Sequence, residues 1–205
     1  MIGLGHGLAS RRPVTTPPAF TPVTLFAGGE QGVLFDVNPA NTGTSVGSPV
    51  SALLDRSGKG NTATSSIAGS QPILRQSGAL HYLEFDGVND WMQTAAVDLS
   101  ASDALTVILG LRKQVNTPAG LPMEFSANAF SNGGAFYLAA PEGTGSGSDY
   151  RFYARGNAAP AAAVTSGAIL APDTCVLTAI ADISANSRIL RRNGVQVDTS
   201  KNPRL

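Results

Sequence analysis

Tyr82-Leu83-Glu84-Phe85-Asp86-Gly87-Val88-Asn89-Asp90-Trp91-Met92 decides how this chain is read. Side chains alternate along a strand, so Leu83 and Phe85 fall on one face and Tyr82, Glu84 and Asp86 on the other. From Asp86 to Asp90 the apolar period disappears. Gly87 tolerates positive φ, and Asx side chains accept from nearby backbone amides, so this piece is a tight turn. Trp91 and Met92 resume the apolar pattern, which predicts a strand, a turn and a second strand. Upstream, Leu54-Asp55-Arg56-Ser57-Gly58-Lys59-Gly60-Asn61 repeats the same grammar after an apolar run.

Working outward, Val23–Phe26 and Val33–Val37 are short and β-rich, separated by Gly28-Gly29. Residues 38–48 form a loop, Val50–Leu54 an apolar segment, and residues 61–69 a small polar strand or loop. Ala104–Arg112 is almost continuously apolar, as expected of a central strand covered on both faces. Ala135–Leu138 and Tyr150–Arg155 follow, with a Gly/Ser loop between them that looks mobile. In the second strand Tyr150 and Phe152 share one face, while Arg151, Tyr153 and Arg155 share the other, as a solvated face or a ligand platform. Thr174–Ile183 is a further strand. Asn193-Gly194 then suits the type I′ turn of a hairpin with Leu190, Arg192, Val195 and Val197 on one face. Residues 1–22 read as an extended arm: glycines and prolines favour extended backbone, and Ile2, Leu4, Leu8 and Phe20 are apolar anchors without a local core.

The two Asx-rich segments carry a resemblance. D-x-S-G-x-G-N, with Asp55, Ser57, Gly58 and Asn61, followed by L-x-F-D-G-x-N-D-W, with Phe85, Asp86, Gly87 and Asp90, resembles concanavalin A-like, laminin-G-like domains of bacteriophage and prophage structural proteins. The resemblance covers residues 32–113, where Gly32–Asp36 matches an opening strand and Pro72–Arg75 a linker. The Asn193-Gly194 hairpin is also typical of that family. The fold implied is an all-β, antiparallel two-sheet sandwich of jelly-roll type over residues 23–205, preceded by the arm. The setting implied is a virion assembled from protein made in the host cytoplasm. The chain would dock on other virion proteins and form a homo-oligomer, with cell-surface glycan as a further partner. Related sandwiches continue with closing strands, so the expectation is that the chain extends beyond Leu205, or that a neighbouring subunit covers an open edge.

Composition narrows the function. Across 205 residues, Lys+Arg and Asp+Glu are both 14, so no basic field is available to hold nucleic acid. Cys175 is the one cysteine, which excludes an internal disulfide, and its apolar neighbours predict burial. No apolar run approaches membrane-spanning length, and Met1–Leu8 lacks the pattern of a signal peptide.

Glu84 and Asp86 lie two apart on one face, which raises a glycosidase reading, since sandwich endoglucanases use E-x-D-x-x-E. Here Asn89 stands at the last position, and an amide cannot donate the proton that glycoside hydrolysis requires. Asp55, Asn61, Asp86, Asn89 and Asp90 supply oxygens suited to Ca²⁺, yet the same aspartates can cap their own turns, and that reading is preferred. No metal or cofactor is therefore expected. Asn89, Asp90 and Trp91 are the candidate glycan or ion contacts. His6 lies in the arm, His81 adjoins the organising strand, and no nucleophile elbow or phosphate loop accompanies them. The sequence points to a non-enzymatic scaffold, with a carbohydrate-binding module as the alternative and a glycoside hydrolase third.

Overall fold

A computed structural model describes residues 20–116, 119–126, 134–142, 148–154 and 162–201. Most of the arm, including Ile2, Leu4 and Leu8, lies outside the described residues; Phe20 is the first of them and is exposed. The structure is mostly β, and its sheets are antiparallel.

The first half is built from short pieces. Val23–Phe26, expected as a strand, lies in a 3₁₀ helix, Pro22–Phe26. Pro22 fixes φ in its first turn, and the Thr24 amide and hydroxyl both donate to the Thr21 carbonyl. The opening strand at Val33–Val37 reduces to one bridge, Phe35 to Asp55. Within the expected loop, Asn38 caps a one-turn helix, α1 (Pro39–Thr42), by accepting from the Asn41 amide at 3.0 Å, and Gly43 ends it at φ 65°. Strands β1 (Ala52–Leu53) and β2 (Ala63–Thr64) pair, as do β3 (Ile73–Ser77) and β4 (Leu80–Glu84). Gly78 opens the β3–β4 turn at φ 59°, a conformation that an L side chain resists.

The organising stretch therefore differs from its reading. Tyr82–Glu84 is in a strand, but its hairpin partner lies upstream in β3, which contains the supposed linker Ile73–Arg75. Trp91 and Met92 form no second strand. The Asp86 turn instead carries the chain across to residues 64–70, where the Trp91 amide donates to the Ser70 carbonyl and Gln93 bridges Thr64. Since β4 ends at Glu84, the alternation stops there, and Phe85 is 50% exposed.

The second half makes two four-stranded sheets. The first has the order β12 (Val195–Lys201), β11 (Ser187–Arg192), β10 (Asp173–Asp182), β5 (Ala104–Lys113). The second has the order β6 (Met123–Phe125), β7 (Phe136–Ala139), β8 (Asp149–Ala154), β9 (Ala162–Ala168). Their inward faces meet in one apolar cluster: Leu138, Tyr150, Phe152 and Val164 from one sheet, and Cys175, Leu177, Ala179, Ala181 and Leu190 from the other. Burying a Leu or Phe side chain is worth about 1.5–3 kcal/mol, so this shared interior is the main stabilising term. Among the described residues the cluster is drawn from Leu105 onward.

Two details correct the sequence reading. β5 is not a central strand covered on both faces: it pairs only with β10 among the described residues, and it alternates half-buried Leu105, Val107, Leu109 and Leu111 with exposed positions. Its apolar outward face made the strand look doubly covered. In the β11–β12 hairpin, Asn193 and Gly194 take φ 50° and 79°, as a type I′ turn needs, but a bulge follows between Leu190 and Arg191. Leu190 therefore faces Asp198 rather than Val197, because one extra residue reverses the parity of the strand.

Polar groups enter the interior at one end. Lys113, the last residue of β5, is 3% exposed, and its Nζ donates to the carbonyls of Ser148 and Ile169, which flank one end of the β8–β9 pair. It also sits 4.8 Å from the Tyr150 ring centroid. Burial lowers the Lys113 pKa, although Asp173 and Asp149 oppose that shift. The Tyr150 hydroxyl donates to Asp173 at 2.6 Å, and Arg192 pairs with the same carboxylate. Burial first, then that hydrogen bond, pushes the Tyr150 pKa up. Lys113→Met keeps the aliphatic stem but takes the ammonium from two carbonyls, of which Ser148 keeps only the longer bond from the Ile169 amide at 3.4 Å, so it should lower stability by about 1–3 kcal/mol. Urea denaturation checks this, and a loss under about 0.5 kcal/mol would mean that the ammonium is dispensable.

Candidate functional site

The Asp55 carboxylate is wholly taken up by its surroundings. Oδ1 accepts from the amides of Leu34 (3.0 Å) and Ser57 (2.8 Å), and Oδ2 from the Ser57 hydroxyl (2.7 Å) and the Asn61 amide (2.9 Å). Gly58 and Gly60, at φ 84° and 78°, let the chain fold back around it. The Asn61 side chain donates to the Gly32 carbonyl at 2.8 Å, so the loop also holds residues 32–34. Burial works against ionisation of Asp55, but the hydrogen bonds from Leu34, Ser57 and Asn61 outweigh it and lower its pKa.

Asp86 repeats this arrangement at the surface. Its Oδ1 accepts from the amides of Val88 (2.8 Å), Asn89 (3.1 Å) and Asp90 (3.2 Å), while Asp90 Oδ2 accepts from the Asp86 amide (2.8 Å). Gly87 sits at φ 71°, and Asn89 Nδ2 donates to the Gly69 carbonyl. The amides of Val88 and Asn89 lower the Asp86 pKa. Beside this turn is an open cavity of about 330 Å³ lined by Ile73, Arg75, Glu84, Phe85, Asp86 and Asp90. Glu84 pairs with Arg75 at 2.6 Å across β3 and β4, in solvent. A glycosidase acid needs a raised pKa, and Asp86 is shifted the other way. Trp91 is half-buried and is not among the residues lining the cavity. Among the described residues, no three His, Cys, Asp or Glu side chains are grouped to hold a metal ion.

The outward face of the second sheet carries a polar network that the sequence reading only partly located. Arg151 Nε donates to Asp149 Oδ2 at 2.7 Å and Nη1 to the Tyr153 hydroxyl at 3.3 Å, and that hydroxyl donates to Glu142 at 3.0 Å. Thr165 adds a hydrogen bond to Asp149, and the Tyr137 and Tyr153 rings stack at 4.4 Å. Asp149 is 3% exposed while the Arg151 side chain is 29% exposed, so the described part of this face is only partly open to solvent. Burial raises the Asp149 pKa, but Arg151 and Thr165 more than reverse that. Asp149 shares the parity of Arg151 and Tyr153, which is the signal that could have placed it. Tyr137, Glu142 and Thr165 come from other strands and loops, and local pattern does not reveal them. Arg155 lies outside the described residues. Cys175 is buried and free.

No family model, curated protein or solved structure matches the chain.

These carboxylates make stability depend on acid. Asp55, Asp86, Asp149 and Asp173 all have folded-state pKa values below the ordinary 3.8. Their stabilising contribution is therefore complete above that value and is lost as pH falls through the lower folded values. Asp55→Asn should cost about 1.5–3 kcal/mol at neutral pH and flatten the acid limb of the stability curve. An unchanged curve would mean that the carboxylate does not hold its loop. Because the carboxyl oxygens of Asp55 already accept from the chain, Ca²⁺ or EDTA should leave the melting temperature unchanged; a rise with millimolar Ca²⁺ would reveal a bound ion.

Proposed function

We propose that this chain is a non-enzymatic structural component of a bacteriophage-like virion, a capsid-decoration or tail-associated protein. In this reading residues 23–205 form a concanavalin A-like jelly-roll sandwich that residues 1–22 dock on other virion proteins. The observation that carries it is how the two motif aspartates are used. Asp55 takes four donors from its own chain and Asp86 takes three amides, so the groups that look most like chemistry are spent on shaping turns. Two antiparallel sheets sharing one apolar interior support the scaffold part of the reading. The virion setting rests on the motif resemblance, and such a role needs no cofactor.

One observation favours a second reading, a carbohydrate-binding module. Phe85 is half-exposed beside Arg75, Asp86 and Asp90 in an open cavity, a combination of apolar surface and polar groups that suits a sugar ring.

The experiments separate the two. Deleting residues 2–22 should abolish incorporation into particles while leaving the far-UV circular dichroism of the remainder unchanged; undiminished incorporation sinks the docking role. A glycan array with the intact chain should show no binding if the role is structural. Binding that falls at least tenfold with Phe85→Ala and Asp90→Ala would establish the module instead.

A further inference from the structure

The β3–β4 hairpin has two unlike faces. Leu74 is fully buried on one, while Tyr82, opposite Arg75, and Leu80, opposite Ser77, are exposed on the other. Glu84 ends that outward row and pairs with Arg75. The open cavity begins there, with Phe85 half-exposed in its wall and Asp86 and Asp90 beside it. Three carboxylates against one guanidinium leave two negative charges in excess. The turn uses Asp86 Oδ1 and Asp90 Oδ2, so Asp86 Oδ2 and Asp90 Oδ1 are left for an incoming donor.

The chain carries a segment of matching chemistry. Before Glu30, Arg11 and Arg12 are the only Asp, Glu, Lys or Arg residues, and they bring two positive charges. They lie outside the described residues. Arg11-Arg12-Pro13-Val14-Thr15-Thr16-Pro17-Pro18 favours the polyproline II backbone, which has three residues per turn. On that backbone Arg11, Val14 and Pro17 share one edge. A guanidinium followed by two apolar groups matches the order of the hairpin face: acidic cavity, Tyr82, Leu80. The lengths agree as well. Arg11 to Pro17 spans about 19 Å as polyproline II, and Glu84 to Leu80 about 13 Å as a strand, with the cavity beyond Glu84 covering the difference.

We propose that residues 11–18 of a second copy of this chain lie along β4, with Arg11 in the acidic cavity against Phe85 and with Val14 and Pro17 on Tyr82 and Leu80. A guanidinium stacks on an aromatic face and donates in a fork, which suits Phe85 beside unused carboxylate oxygens. Proline-rich segments dock on aromatic surfaces with little loss of entropy, because their backbone is already extended. The donor is another copy rather than the same chain. With Pro17 at Leu80, Pro18, Ala19 and Phe20 alone would have to join it to Thr21, and the 3₁₀ helix after Thr21 makes no extended contact with β3 or β4. The inference rests on the docking role of the arm proposed above and names a partner for it. Arm and sugar would compete for the one cavity.

Sedimentation and peptide binding test it. The intact chain should self-associate at micromolar concentration, and less so as salt is raised. Arg11→Glu together with Arg12→Glu should weaken association roughly tenfold or more, with unchanged far-UV circular dichroism. That double variant should bind a labelled peptide of residues 9–20, and adding Phe85→Ala should weaken the peptide roughly tenfold. An intact chain that stays monomeric at its highest soluble concentration overturns the proposal, even if the peptide binds the double variant, since its own arm then fills the cavity. Self-association that persists in the double variant overturns it too, as does peptide binding indifferent to Phe85. All of these are read without particles, so failure here leaves the arm's part in incorporation to its own experiment.

Discussion

A shared interior between two sheets tolerates polar groups only where each finds a partner, and here that constraint rests on the Lys113 ammonium. Placed at the end of β5, it reaches across to two carbonyls at the end of the β8–β9 pair. Apolar packing brings the sheets together without a preferred offset, because the hydrophobic effect has no direction. The lysine supplies the direction. It sets where the second sheet sits along β5, and so brings Tyr150 beneath the ammonium and its hydroxyl onto Asp173. Arg192 then holds Asp173 from the rim, where the side chain is only partly covered.

The first half of the chain is organised differently. Its strands are two to five residues long, and its buried apolar residues, Val50, Leu53, Ala63 and Leu74, stand apart from the larger cluster. With so little apolar area per element, side-chain-to-backbone bonds take over the role of long ladders. Asp55 ties residues 32–34 to its own loop, and Asp86 turns the chain from β4 toward residues 64–70. Both carboxylates act as local templates for backbone amides.

How far the sequence could be read follows from this contrast. Strands β5, β7, β8 and β10 to β12 were legible because their apolar residues alternate or run together, whereas β6, three residues long, and β9, built of small residues, were not; the buried thiol of Cys175 followed from its neighbours. The Asx turns were legible as turns because their residue types allow little else. Direction after a turn was not legible: Trp91 and Met92 looked like a returning strand, yet three amides on one Asp86 oxygen aim the chain elsewhere. Nor was the coverage of β5 legible, since an apolar outward face looks the same in sequence whether protein or solvent lies over it. The network around Arg151 draws on Tyr137, Glu142 and Thr165, which are apart in sequence and meet only when the sheet forms.

The bulge opposite Leu190 and Arg191 has a reach beyond its own hairpin. By reversing parity it brings Asp198 round to the Thr165 amide, so that a side chain of one sheet closes the border of the other. The final strand thereby becomes a clasp between layers, and its detachment and the uncovering of β9 become one event. Exchange of the Thr165 amide proton with solvent would then be governed by how often the end of the chain lets go.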